Sequence, residues 1–206
     1  MAERHISRFH HLKKQFMIVS RWLHIYLSMG SFAILFFFAA TGLTLNHLEW
    51  FADQQRSVAS KGHMELAWLK PPAGKELAKL EIVEYLRKTN GVRGAMSDFR
   101  VEDAQVAVSF KGPGYMADTF IDRESGNYEL NETRMGLVAV MNDLHKGRDS
   151  GKVWGWMIDL SAVLMVLVSV TGMALIFFLS KRRVSGLVVA GLGAVLCYAV
   201  YAVWAP

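Results

Sequence analysis

"WLHIYLSMGSFAILFFFAATGLTLNHLE", residues 22–49, carries no Asp, Glu, Lys or Arg between Arg21 and Glu49, a gap of 27 residues. A helix needs roughly 20 apolar residues to cross about 30 Å of hydrocarbon. Two further gaps, 160–180 and 184–206, hold 21 and 23 residues. Buried helices of soluble proteins rarely stay so long and so apolar. The sequence therefore predicts an integral membrane protein with three transmembrane α-helices. The first run is too long for the apolar core of a cleaved signal peptide and no small-residue cleavage pattern follows it, so it reads as an uncleaved anchor.

Charge sets the expected orientation. Arg4, Arg8, Lys13, Lys14 and Arg21 precede the first span against Glu3 alone, and Lys181, Arg182 and Arg183 lie between spans two and three. The stretch 49–159 holds 17 acidic residues against 15 basic ones, so the net charge of +5 arises at the membrane flanks. By the positive-inside rule the N-terminus and the 181–183 turn are cytoplasmic and the central segment lies outside. Trp22 then falls at the inner interface, and Trp50, Trp154, Trp156 and Trp204 at the outer one. A basic balance of this origin argues against nucleic-acid binding. The one cysteine, Cys197, excludes an internal disulfide and any Cys-x-x-Cys-His attachment of haem.

The expected organisation is a basic N-terminus (1–20), a first span (21–50), a periplasmic α+β domain (51–150), a second span (151–180), a cytoplasmic turn (181–184) and a third span (185–204). Within the domain, "RSVASKGHMELAWLKPPAGK" is polar and turn-rich, and Pro71-Pro72 bars a continuing helix. "KELAKLEIVEYLRKTNG" predicts a helix with Leu77, Leu80, Val83 and Leu86 on one stripe and Asn90-Gly91 as its C-cap. "SDFRV", "QVAVSFK", "YMADTFID" and "NYEL" are strand-like and separated by short turns, which predicts a helix on a three- or four-stranded antiparallel sheet. Alternation places Val106, Val108 and Phe110 inward and Gln105, Ala107 and Ser109 outward. "NETRMGLVAVMNDLHKGRD" reads as a helix leading into the second span.

Two stretches repeat one pattern. "LHIYLSMGSFAILFFFAATGLTL" and "LHKGRDSGKVWGWMIDLSAVLMVLVSVTGMAL" both run Leu-His, then Gly, an apolar stretch and Thr-Gly. The pattern resembles the PepSY-associated transmembrane helix family over most of the chain, from about residue 21 to 183, most specifically in "LHKGRDSG" and "VTGMAL". The resemblance implies a PepSY-like helix-and-hairpin domain in the periplasm of a bacterium, with its helices in the inner membrane. Larger members of the family look like haem-containing membrane reductases, some acting on ferric siderophores, and others are associated with periplasmic flavoproteins. This chain departs from them in having three spans rather than four or more.

The resemblance implies b-type haem and electron transfer to a periplasmic flavoprotein or ferric-siderophore acceptor. Haem b needs only axial ligands and an apolar slot between helices. His47 ends span one and His145 precedes span two on the same side, so the two are candidate axial ligands of one haem iron. The plain alternative is a pair of interfacial polar residues. Gly42, five residues inside His47, leaves room for a porphyrin or simply for close helix packing. His24 lies 23 residues before His47, about 34 Å along a straight helix, and cannot share that haem. As a ligand of a second haem, it would draw its partner from His10, His11 or a second copy in a homodimer. As a snorkelling residue at the inner interface, it needs none. Met29, Met157, Met165 and Met173 read as packing residues, Asp159 as an interfacial acid and His63 as a solvated linker residue. No nucleophile constellation, phosphate loop or flavinylation motif is present. The rival function is a haem-free, membrane-anchored PepSY module acting in interactions or in regulating a peptidase.

Overall fold

A computed structural model describes residues 2–71 and 77–205, with side chains described at 11–51, 53–71 and 77–205. Pro72, Lys75 and Glu76 of the predicted linker and helix start, and the His10 side chain, lie outside the described residues. The chain forms two compact units, Met1–Phe36 with Asp159–Pro206, and Phe37–Ile158.

Among the described residues, three helices are long and apolar enough to cross a membrane. They are α1 (Ala2–Asn46), α5 (Gly151–Phe178) and α6 (Arg183–Trp204); α2 (Leu66–Leu69), α3 (Lys79–Asn90) and α4 (Leu137–Lys146) are shorter. In the first unit the burial is inverted relative to a soluble protein. Ser20, Ser31 and Ser161 are buried, while Phe32, Phe36, Val163 and Val170 face outward. Lipid is as apolar as leucine, so it exerts no pressure to hide large side chains, and helices close up through small residues instead. Ser31 satisfies itself along its own helix by donating to the Leu27 carbonyl at 2.7 Å. No residue of α6 is buried.

The second unit is built on a five-stranded antiparallel sheet in the order β1-β5-β4-β3-β2: β1 (Arg56–His63), β2 (Ala95–Val101), β3 (Gln105–Gly112), β4 (Tyr115–Asp122) and β5 (Asn127–Arg134). The expected three or four strands become five because the polar stretch 56–63 is itself a strand, paired with β5 from Arg56↔Arg134 to His63↔Asn127. His63, expected in a linker, thus ends an edge strand and remains exposed, its ring beside Asn127. The pairing also takes residues 131–134, expected in a helix, into β5.

One face of the sheet carries the core. Val106, Val108 and Phe110 of β3 are fully buried, as expected from alternation, and lie across from Ile121, Thr119 and Ala117 of β4. Ala107 is buried too, so the opposite face of β3 is not open as expected. Against the core face packs α3 through Ile82, Val83 and Leu86. Leu80, expected on that stripe, is 70% exposed, because the helix turns the 82–83–86 edge inward. The helix ends as its sequence predicts: Gly91 is left-handed at φ 69° and its N–H bonds the Arg87 carbonyl at 3.0 Å. A two-residue turn, Pro113-Gly114, joins β3 to β4.

The helix expected to lead from 131–149 into the second span is separated from that span by a break. After α4, Gly147 adopts φ 69° and its N–H bonds the Leu144 carbonyl at 3.2 Å, Asp149 adopts φ 54°, and the chain restarts as α5 at Gly151. The Trp154 indole N–H donates to the Leu144 carbonyl at 2.8 Å, tying the start of α5 to α4.

Candidate functional site

The Leu-His and Thr-Gly pairs of the repeated pattern meet, each pair engaging the other repeat's partner. His145 of α4 lies with Nδ1 2.6 Å from Thr41 Oγ1 of α1. His24 of α1 lies with Nδ1 3.1 Å from Thr171 Oγ1 of α5. Each imidazole also sits over the glycine that follows its threonine. The position a Gly42 side chain would take is 3.9 Å from His145 Cε1, and for Gly172 the distance to His24 Cε1 is 3.0 Å. The space beside Gly42 is thus occupied by the His145 ring edge.

Hydrogen-bond partners constrain the tautomers. A threonine hydroxyl has one proton, and Thr41 sends it 2.6 Å to the Phe37 carbonyl. With the proton so placed, Thr41 accepts from His145 Nδ1–H; the same hydroxyl, equally close to Nδ1, can instead donate to a bare Nδ1. For His24 the assignment is stricter, because Nδ1 also lies 3.1 Å from the Val168 carbonyl, which can only accept. Thr171 directs its own proton to the Leu167 carbonyl at 2.8 Å. His24 therefore carries a proton on Nδ1, and His145 can do the same; a neutral ring in that form presents a lone pair on Nε2, the state in which an imidazole binds a metal. Among the described residues, neither Nε2 has a hydrogen-bond partner.

The surroundings of His145 favour that neutral state. Burial first, and the neighbouring Lys146 charge second, lower its pKa from the usual 6.5. Phe38 meets the ring edge-on at a centroid distance of 4.9 Å. Thr41 is 1% exposed. One turn along α1, Thr44 donates to Asn142 Oδ1 at 2.7 Å, which fixes α4 three residues before the histidine.

His47 has different partners. It follows the last residue of α1 and precedes the 3-10 turn Leu48–Gln54, its ring stacked on Trp50 at 4.0 Å and 7° and its Nδ1 3.2 Å from Glu49 Oε1. The side chain is 32% exposed. The structure thus joins His145 to Thr41 and Gly42, and His24 to Thr171 and Gly172, and gives His47 a separate surface setting. Among the described residues no three His, Cys, Asp or Glu side chains gather, so the available donors are separate imidazoles. Sequence reasoning missed Thr41, Thr171, Thr44 and Asn142. The recurrence of Thr-Gly after each Leu-His was the signal available for the first two.

Three helices suited to a membrane, an attached helix-on-sheet domain and two reciprocal histidine–threonine couples define a membrane protein of the PepSY-transmembrane kind. The chain belongs to the family described as "Putative PepSY_TM-like", whose sequence profile matches residues 18–206. No curated protein and no solved structure matches it.

Proposed function

We propose that this chain is a haem-binding electron carrier of a bacterial inner membrane, with its N-terminus cytoplasmic and its α+β domain periplasmic. The observation that carries the reading is the shared contact of His24 and His145, each ring held at Nδ1 by a threonine while Nε2 has no partner among the described residues. An imidazole whose far nitrogen is tied down is the usual form of a metal-ligating histidine, since the second contact fixes ring angle and protonation. The donor set fits a b-type haem, which needs imidazoles at its axial positions and nothing covalent.

His145 is the better placed of the two outer ligands, being neutral, anchored and flanked by Phe38. His47 serves as its axial partner after leaving Trp50 and Glu49, contacts made at the surface and weakened by solvent screening. His24 is the ligand for a second haem, its partner supplied from the N-terminal segment or from a second copy of the chain. When bound, haem supplies one-electron chemistry, and a flavoprotein or ferric siderophore in the periplasm is the acceptor. The protein's part is to orient the imidazoles and, at His145, to favour the neutral ring by burial.

The test is a visible spectrum of the full chain purified after expression with ample haem. A low-spin b-type spectrum is expected in the wild type, lost at the outer haem in His145→Ala and in His47→Ala, and unchanged in His63→Ala. Protein without a Soret band would return the chain to a haem-free anchored PepSY module. A normal spectrum in both single variants would remove His47 and His145 as ligands.

A further inference from the structure

Asn142 is 3% exposed and only half of its carboxamide is used. The Thr44 hydroxyl lies 2.7 Å from Asn142 Oδ1 and 3.0 Å from the Thr41 carbonyl, so its single proton goes to the nearer amide oxygen. Asn142 Nδ2 then holds two N–H donors, and among the described residues neither has a partner. A buried donor left unmade is costly, and native proteins rarely keep one without a use for it. Asn142 lines a cleft in the second unit between the β3–β4 hairpin and α4.

The rest of that cleft matches a waiting donor. Lys111, Lys146 and Arg148 line it, and among the described residues none of the three is in an ion pair. Of the two acids present, Asp143 is engaged by the Gly114 N–H at 2.9 Å, leaving Asp149 as the one counter-charge without a hydrogen bond. Asp149 is also the only non-glycine residue in the left-handed region among those described, a backbone state that collects at binding sites. The other wall is apolar, with Met116, Met135 and Leu48.

We propose that this cleft binds a phosphate group carried on an apolar or neutral body, with Lys111, Lys146, Arg148 and Asn142 Nδ2 on the phosphate oxygens and the methionine wall against the body. Ammonium, guanidinium and amide donors lining one cleft suit a multi-oxygen anion better than a single acceptor. Leu48 lies two residues beyond the end of α1, so an anionic phospholipid head group is one source and a soluble phosphate ester the other. The proposal does not depend on haem.

Amide hydrogen exchange of residues 111–116 and 142–149 in the haem-free full chain tests it. The chain is held in phosphatidylcholine nanodiscs and probed with phosphatidylglycerol in the disc or glycerol 3-phosphate in solution. At least one probe should protect both segments. Protection by phosphatidylglycerol alone identifies a head-group site; protection by glycerol 3-phosphate identifies a soluble ester. Replacing donors by a carboxylate in Asn142→Asp should weaken binding by roughly tenfold or more. Arg148→Ala, at an exposed position that leaves the fold intact, should weaken it too. Absence of protection by either probe, or unchanged affinity in Arg148→Ala, would overturn the proposal.

Discussion

His24 Nδ1 lies 3.1 Å from the carbonyl oxygen of Val168, an atom that can only accept a hydrogen bond. The same nitrogen is within reach of Thr171, and His145 repeats the relationship with Thr41. In haem-free protein each ring, when neutral, should therefore carry its proton on Nδ1. Nitrogen-15 NMR of the imidazoles reads this directly, and an Nε2–H signal for either ring would contradict it.

Removing the acceptor tests the outer couple. Thr41→Val keeps the shape but leaves the His145 N–H without a partner, which should destabilise the second unit by about 1–3 kcal/mol. Thr41→Ser retains the oxygen and should recover most of that loss. Chemical denaturation of the full chain in detergent, followed by Trp fluorescence, makes the comparison.

The two glycines should respond differently to alanine. At Gly42 the new methyl meets His145 Cε1 at 3.9 Å, an ordinary contact, and mid-helix alanine is favoured over glycine by up to about 1 kcal/mol. Gly42→Ala should be neutral or stabilising. At Gly172 the methyl would come within 3.0 Å of His24 Cε1 on a ring held by two hydrogen bonds, so Gly172→Ala should displace that ring and lower stability. Equal behaviour of the two variants would mean that the imidazoles do not occupy these notches.

His145 should make stability depend on pH. Its folded-state pKa is lowered below the usual 6.5, so in the acidic range the unfolded chain binds more protons than the folded one. Stability then rises with pH up to about 6.5 and is level above it as far as this group is concerned. His145→Gln should flatten the acidic slope in a denaturation series from pH 5 to 8, and an unchanged slope would assign it to other groups.

Orientation has its own test. Reporters fused after Lys181 and within the turn after Gly112 should behave as cytoplasmic and periplasmic respectively, because positive charge is concentrated before the first span and at 181–183. Opposite results at both positions would reverse the proposed topology.

The spans were legible because an uncharged run is a local property. Strands β2 to β4 were legible for a similar reason: Val106, Val108 and Phe110 alternate with less apolar neighbours along one segment. Strand β1 was not. "RSVASKGH" buries almost nothing, and backbone pairing with β5 holds it, so hydrophobic periodicity had no signal to offer. The same pairing drew Asn131–Arg134 away from the helix their composition suggested. At the candidate site the repetition of Leu-His and Thr-Gly was visible. Which histidine meets which threonine was not, since the partners are 104 and 147 residues apart.

Arg56 opens β1 and Arg134 closes β5, and the two are paired across the sheet edge. Directly opposed residues of an antiparallel pair have Cα atoms about 4.5–5.5 Å apart, so the polypeptide leaves for the sheet and returns from it through neighbouring points. In effect the sheet is a cassette plugged into one gap in the helical chain. A short glycine linker spans such a gap, so the cassette can be removed, enlarged or exchanged without stretching the connection between α1 and α4. Selection can thus remodel what the sheet recognises while the Thr41–His145 couple keeps its own chain segments unchanged.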